Sequence, residues 1–89
     1  MLYTLSKAQY DLNELQTTLA QLTAEDRLVL WQDGVLLPIK YPQIFAQIAP
    51  LALANDVIAR GLSDGYPCQQ ISLAELVEIT ERFYPQVGL

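Results

Sequence analysis

Arg27-Leu28-Val29-Leu30-Trp31-Gln32-Asp33-Gly34-Val35 is the stretch whose reading decides the fold. Leu28 to Trp31 is apolar at every position. A strand with one wet face alternates apolar and polar residues, whereas a strand covered on both faces reads as a continuous apolar run. The stretch therefore predicts an inner strand of a sheet flanked by helices. Gln32-Asp33-Gly34 ends it abruptly.

On the N-terminal side, Leu2–Leu5 reads as a second short buried strand. Asp11 stands three residues before Glu14, a spacing that opens a helix. Leu12, Leu15, Leu19 and Leu22 follow at helical steps and give that helix an apolar side. On the C-terminal side, Val35 to Ala49 is less regular. Pro38 and Pro42 prevent one long helix, and Ile44, Phe45 and Ile48 predict a short one after Pro42, closed by Pro50. Leu51–Ala54 reads as a third strand. Asn55 and Asp56 suit the N-cap of a helix running to Arg60, with Gly61 placed to stop it. Ser63 to Pro67 is a loop, and Gln69–Ser72 a fourth strand. Ser72-Leu73-Ala74-Glu75 is a capping box. The helix it opens carries Leu73, Leu76, Val77, Thr80, Phe83 and Tyr84 along one side and Glu75, Glu78 and Glu81 largely on the other. Pro85 ends it. Strands and helices alternate, so the expected fold is α/β. It is a single domain over residues 1–89, a small, mostly parallel sheet of four to five strands with helices on both faces.

Composition narrows the function. Hydrophobic residues make up 52% of the chain and charged residues 17%, against about 25% charged in an average domain. A small surface this poor in charge points to oligomerisation. The net charge is −5, and Lys7, Arg27, Lys40, Arg60 and Arg82 are scattered, which disfavours direct nucleic-acid binding. With no histidine, imidazole acid–base chemistry and His metal ligands are excluded. A single cysteine, Cys68, makes neither an internal disulfide nor a thiolate cage. Neither a metal nor a cofactor is expected. No signal peptide or membrane span is legible, so a cytoplasmic protein is the plain reading.

Parallel sheets place function at the C-terminal ends of their strands. Asp33 and Asp56 stand there and are candidates for a carboxylate pair, although each also suits the cap of a following turn or helix. Gly34 is a lone glycine with no phosphate-loop pattern around it. Arg60 is spaced to pair with Asp56. Cys68 is the one intrinsically reactive nucleophile. It precedes the fourth strand, the wrong end for a site, and no basic residue close in sequence lowers its pKa. Trp31 and Tyr66 offer stacking surfaces, but Trp31 continues a buried strand and reads as core or interface.

Three blocks together resemble a known family: Met1-Leu2-Tyr3-Thr4-Leu5, then Glu25 to Val35 with its Gln-Asp-Gly-Val ending, then Ala52-Leu53-Ala54-Asn55-Asp56-Val57-Ile58-Ala59-Arg60-Gly61-Leu62. The resemblance is to the TusB/DsrH family of sulfur-relay subunits and spans essentially the whole chain. It implies a small DsrEFH-like α/β fold. It also implies a heterohexamer with TusC-like and TusD-like sister subunits, two copies of each. Such a complex takes persulfide sulfur from a TusA-like donor and passes it to a TusE-like acceptor, towards the 2-thio group of the tRNA wobble uridine. The sulfur-bearing cysteine of TusD-like sisters falls at Leu53-Ala54-Asn55 here, and the early cysteine of DsrH-like members falls near Ala20. Neither place holds a thiol. The departure favours a TusB-like, non-catalytic subunit. A DsrH-like subunit of a dissimilatory sulfur-oxidation complex and a direct sulfur carrier using Cys68 are the alternatives. On the non-catalytic reading, Trp31, Gln32, Asp33 and Gly34, with Asn55, Asp56, Arg60 and Gly61, form a surface that meets a sister subunit. The isolated chain is expected to be able to form homo-oligomers through its apolar surface.

Overall fold

A computed structural model describes the whole chain, residues 1–89. Five strands form one sheet: β1 (Leu2–Leu5), β2 (Arg27–Leu30), β3 (Leu51–Leu53), β4 (Gln69–Ile71) and β5 (Gln86–Gly88). Their order across the sheet is β4-β3-β2-β1-β5, and every neighbouring pair is parallel. The sheet is thus wholly parallel. Its fifth strand comes from Gln86-Val87-Gly88, a stretch too short to carry a periodic signal.

The helices are α1 (Leu12–Ala20), α2 (Leu37–Lys40), α3 (Pro42–Phe45), α4 (Ala54–Ala59) and α5 (Leu73–Arg82). A 3-10 helix, Gln32–Leu36, precedes α2. The steps from β1 to β2, β3 and β4 all run in one direction across the sheet. Parallel crossovers share one hand, so their helices share one face. Leu15 and Leu19 of α1, Leu37 of α2, Phe45 of α3 and Val57 of α4 accordingly form one buried cluster with Leu5, Leu28, Leu30 and Ala52. The step from β4 back to β5 crosses the whole sheet in the opposite direction and puts α5 on the other face. There Leu76 packs on Leu2, Val29, Leu53 and Ile71. Alternate residues of β2 thus serve opposite clusters: Leu28 and Leu30 one, Val29 the other. That is why the strand reads as continuously apolar.

Several elements begin or end away from their sequence-based positions. β2 stops at Leu30, and Trp31 stands beyond it, extended and half-buried. β3 stops at Leu53, so Ala54 belongs to α4. Asn55 and Asp56 therefore lie inside the first turn of α4, and no side chain caps it. On α1, Leu15 and Leu19 are buried, but Leu12 is 38% exposed at the first turn and Leu22 lies past the helix end. On α5, which stops at Arg82, Leu76 alone is buried; Leu73 and Val77 are exposed, and Phe83 and Tyr84 lie past the helix end, Tyr84 exposed. The terminal signals are obeyed more closely. Asp11 caps α1, accepting from the backbone N–H groups of Asn13 and Glu14. The Ser72–Glu75 box forms both reciprocal bonds, 3.1 and 3.0 Å. Gly61 ends α4 at φ +67°, with its N–H bonded to the Ile58 carbonyl and that of Leu62 to the Val57 carbonyl. This Schellman pairing requires the left-handed conformation that glycine adopts without strain. No helix is long and apolar enough to cross a membrane.

Candidate functional site at the strand ends

The C-terminal ends of β2 and β3 are adjacent because β2 and β3 pair in parallel, Leu30 opposite Ala52. The segments that leave them meet above the sheet. From β2 the chain turns at Gln32, which holds a left-handed φ of 52°. That conformation is sparsely populated by side-chain-bearing residues and persists only where neighbours over-determine it. Here a neighbour does: the Gln32 backbone N–H donates to Asp56 Oδ2 at 2.7 Å. A short bond to a carboxylate is the stronger, charge-assisted kind. Asp56 is therefore a tether from α4 to the start of the 3-10 helix, not a helix cap.

Asp33 is likewise engaged across the gap. Arg60 donates from both Nε (3.0 Å) and Nη2 (2.8 Å) to Asp33 Oδ1. Its Nη1 donates to the Asp56 carbonyl at 3.2 Å and lies 3.7 Å from Asp56 Oδ1, the pairing expected from their four-residue spacing. Arg60 thus sits between two carboxylates and joins the 3-10 helix to α4. Its side chain is 28% exposed and that of Asp33 59%. An ion pair so open to water is worth about 0–1 kcal/mol. It contributes little to stability and holds a fixed pattern of charge on the surface. The two carboxylates share a guanidinium instead of pairing with each other, so a carboxylate pair for acid–base work receives no support from this geometry.

Gly34 has a different part. It is buried, and a Cβ built on it would lie 2.0 Å from the Leu5 carbonyl oxygen and 2.7 Å from its carbon. That same oxygen accepts the Trp31 N–H at 3.1 Å. The 3-10 helix therefore folds directly onto the end of β1, which only glycine permits at this position. Trp31 packs against the α5-side cluster, and its indole Nε1 is buried without a hydrogen-bond partner. Of the eight expected surface residues, Gln32, Asp33, Asn55 and Gly61 are exposed, Asp56 and Arg60 are half-buried and mutually tied, and Trp31 and Gly34 shape the platform from beneath. The Asp56–Gln32 tether had no local signal, because its partners are 24 residues apart. The close approach at Gly34 had one: an isolated glycine directly after a strand.

Cys68 lies elsewhere. It precedes β4, so it stands at the N-terminal end of the parallel sheet, opposite the Asp33–Asp56–Arg60 cluster. It lines a groove of about 360 Å³ with Pro38, Pro42, Phe45, Pro50 and Pro67. Burial pushes its thiol above the ordinary range, and no cation offsets this. The neighbouring Tyr66 donates its hydroxyl to the Val35 carbonyl at 2.8 Å, and burial pushes the phenol upward too. No group of three or more His, Cys, Asp or Glu side chains is placed to hold a metal ion.

Comparison with known proteins follows the same outline. The family model described as "DsrH like protein" matches residues 7–86. An uncharacterized protein of Haemophilus influenzae is 44% identical over 95 residues, covering 100% of both chains. Protein TusB of Yersinia pestis is 34% identical over 97 residues, covering 99% of each. The solution NMR structure of protein Tm0979 from Thermotoga maritima matches with a TM-score of 0.62 at 24% identity, over 91% of this chain and 92% of that one. At that identity the structural likeness concerns the fold alone.

Proposed function

The chain belongs to the DsrH-like protein family, and from that premise we propose that it is a non-catalytic subunit of a sulfur-relay complex. In this reading it assembles with TusC-like and TusD-like sister subunits, and the complex passes persulfide sulfur from a TusA-like donor to a TusE-like acceptor. The cargo ends in the 2-thio group of the tRNA wobble uridine. The observation that carries the reading is the end-to-end likeness to proteins named TusB. The site geometry supports the non-catalytic part. Sulfur relay requires a thiolate to attack the outer sulfur of an incoming persulfide, and thiolates form where a cation or helix terminus lowers the pKa. The strand-end cluster contains no sulfur, and the one thiol is half-buried, its pKa pushed up by burial, and at the other end of the sheet. What the strand ends offer is a fixed pattern of polar groups: the exposed Gln32, Asp33 and Asn55, with the half-buried Arg60 held among them. We assign them to contact with a sister subunit.

Native mass spectrometry of the tagged chain drawn from its own cells tests the proposal. Two small sister proteins in equal numbers with it are expected, with any added sulfur on a sister. A chain recovered alone, or carrying the sulfur itself, counts against it. Cys68→Ser is expected to leave tRNA thiolation intact, whereas a direct carrier would lose it. Asp33→Ala and Arg60→Ala are expected to weaken assembly while the chain stays folded.

A further inference from the structure

The two faces of the sheet are covered unequally. Four helices pack on one, and α5 alone packs on the other. The inward side of α5 is Leu76, Ile79 and, at its end, Phe83. At about 100° per residue, Leu73, Val77 and Thr80 fall on a second stripe, roughly a quarter-turn round from the first. Leu73 is 56% exposed and Val77 50%, and Tyr84, directly past the helix end, is 73% exposed. A leucine and a valine one turn apart on the same helix side, each with half or more of its surface open, form an apolar strip on α5 that does not face the sheet. Its outer border is charged: Glu78 and Glu81 are exposed there.

That border selects the occupant. In a two-fold antiparallel pairing of α5 with a second copy, the same border of each helix would face itself. Glu78 and Glu81 would lie along the same acidic border of the other copy, on chains each carrying a net charge of −5. A different chain that presents apolar side chains edged by Lys or Arg meets both the strip and the border. A subunit that touches two unlike sisters also needs two separate faces, and α5 lies on the side of the sheet away from α1–α4. We propose that the Leu73–Val77 strip of α5 is a docking surface for a sister subunit whose matching face is apolar and rimmed by basic residues. This rests on the sulfur-relay reading and adds to it the surface and the chemistry of the partner.

The test is co-expression of this chain with the TusC-like and TusD-like chains of its own organism, followed by native mass spectrometry and sedimentation equilibrium. Val77→Glu is expected to weaken association by about 30-fold or more, as burial of a charge in an interface centre does. The milder Val77→Ser is expected to weaken it in the same direction. Replacing both Glu78 and Glu81 by Lys is expected to weaken it about tenfold at low salt, the loss shrinking as salt screens the border. Glu14→Lys, on α1, is expected to change nothing. If the wild-type complex forms and the Val77 variants assemble equally well, the docking surface is wrong and the relay reading stands. If the wild-type chain joins neither sister, the relay reading itself fails and the partner assigned here goes with it. A wild-type homodimer that Val77→Glu dissociates would give the strip to a second copy and overturn the proposal.

Discussion

Replacing Gly34 by alanine puts a methyl group where the structure has a backbone carbonyl. The added Cβ would stand 2.0 Å from Leu5 O, against ordinary contacts of 3.4 Å or more, so the two segments must part by about 1.4 Å. No side-chain rotation relieves this, because both partners are backbone. Leu5 is fully buried and paired with Leu30 in the neighbouring strand, so β1 cannot yield alone. The 3-10 helix must lift instead, straining the Trp31 N–H bond to Leu5 O. Overpacking of this kind costs about 1–3 kcal/mol and a lost hydrogen bond about 1 more. The expected destabilisation is therefore about 2–4 kcal/mol, a lowering of the melting temperature by roughly 10–25 °C for a domain of this size. Thermal unfolding followed by circular dichroism measures it. Gly88→Ala is the control, since its nearest neighbour would be Thr4 Oγ1 at an ordinary 3.7 Å, and it should stay within about 0.5 kcal/mol. A Gly34→Ala protein as stable as that control would refute the inference that this glycine exists for close approach.

Other substitutions probe separate features. Gly61→Ala keeps its space but forces a side chain to φ +67°, and should lower stability by about 1–2 kcal/mol in the same melting experiment. Asp26 holds the terminal ammonium of Met1 at 3.1 Å and accepts from Thr23, and the Thr23 backbone bond above all keeps its carboxyl below the usual range. A lowered folded-state pKa stabilises above the unfolded value, near 3.9, and the contribution vanishes as pH falls through the folded value. Asp26→Asn should therefore be less stable than wild type at pH 6, with the gap closing below about pH 4 in urea titrations. Because burial raises the Cys68 thiol, its alkylation by iodoacetamide at pH 8 should be slower in the folded chain than in urea, and its pH–rate profile should be displaced to the alkaline side. Equal rates in the two states would remove the argument that Cys68 is a poor relay thiol.

The parts of the fold written locally were legible in the sequence. The capping residues Asp11 and Ser72, the stop at Gly61 and the apolar run of β2 each work through neighbours within about four residues, so short patterns suffice to read them. Errors occurred where a long-range contact overrode a local preference. Asn55 and Asp56 have cap chemistry, yet Leu53 takes the N-cap place two residues before Asn55, and Asp56 reaches across to Gln32. Leu73 and Val77 have core chemistry, yet only one side of α5 faces the sheet. Of the candidate site, the residue set at the strand ends was legible, because parallel topology sends those segments to one edge. Which of them offer surface and which support it from below was not.

By itself, the sequence determined the class of fold, the alternation of elements, the lack of histidine and the single thiol. All are properties of composition, spacing and local hydrogen bonding. Tertiary structure alone decided three things: that Gln86-Val87-Gly88 joins β1 as a fifth strand, that Arg60 stands between Asp33 and Asp56, and that Cys68 lies at the far end of the sheet. Each depends on residues distant in sequence becoming neighbours. That juxtaposition is set by the order β4-β3-β2-β1-β5 and the common hand of its crossovers, which the pattern of the chain constrains but does not state.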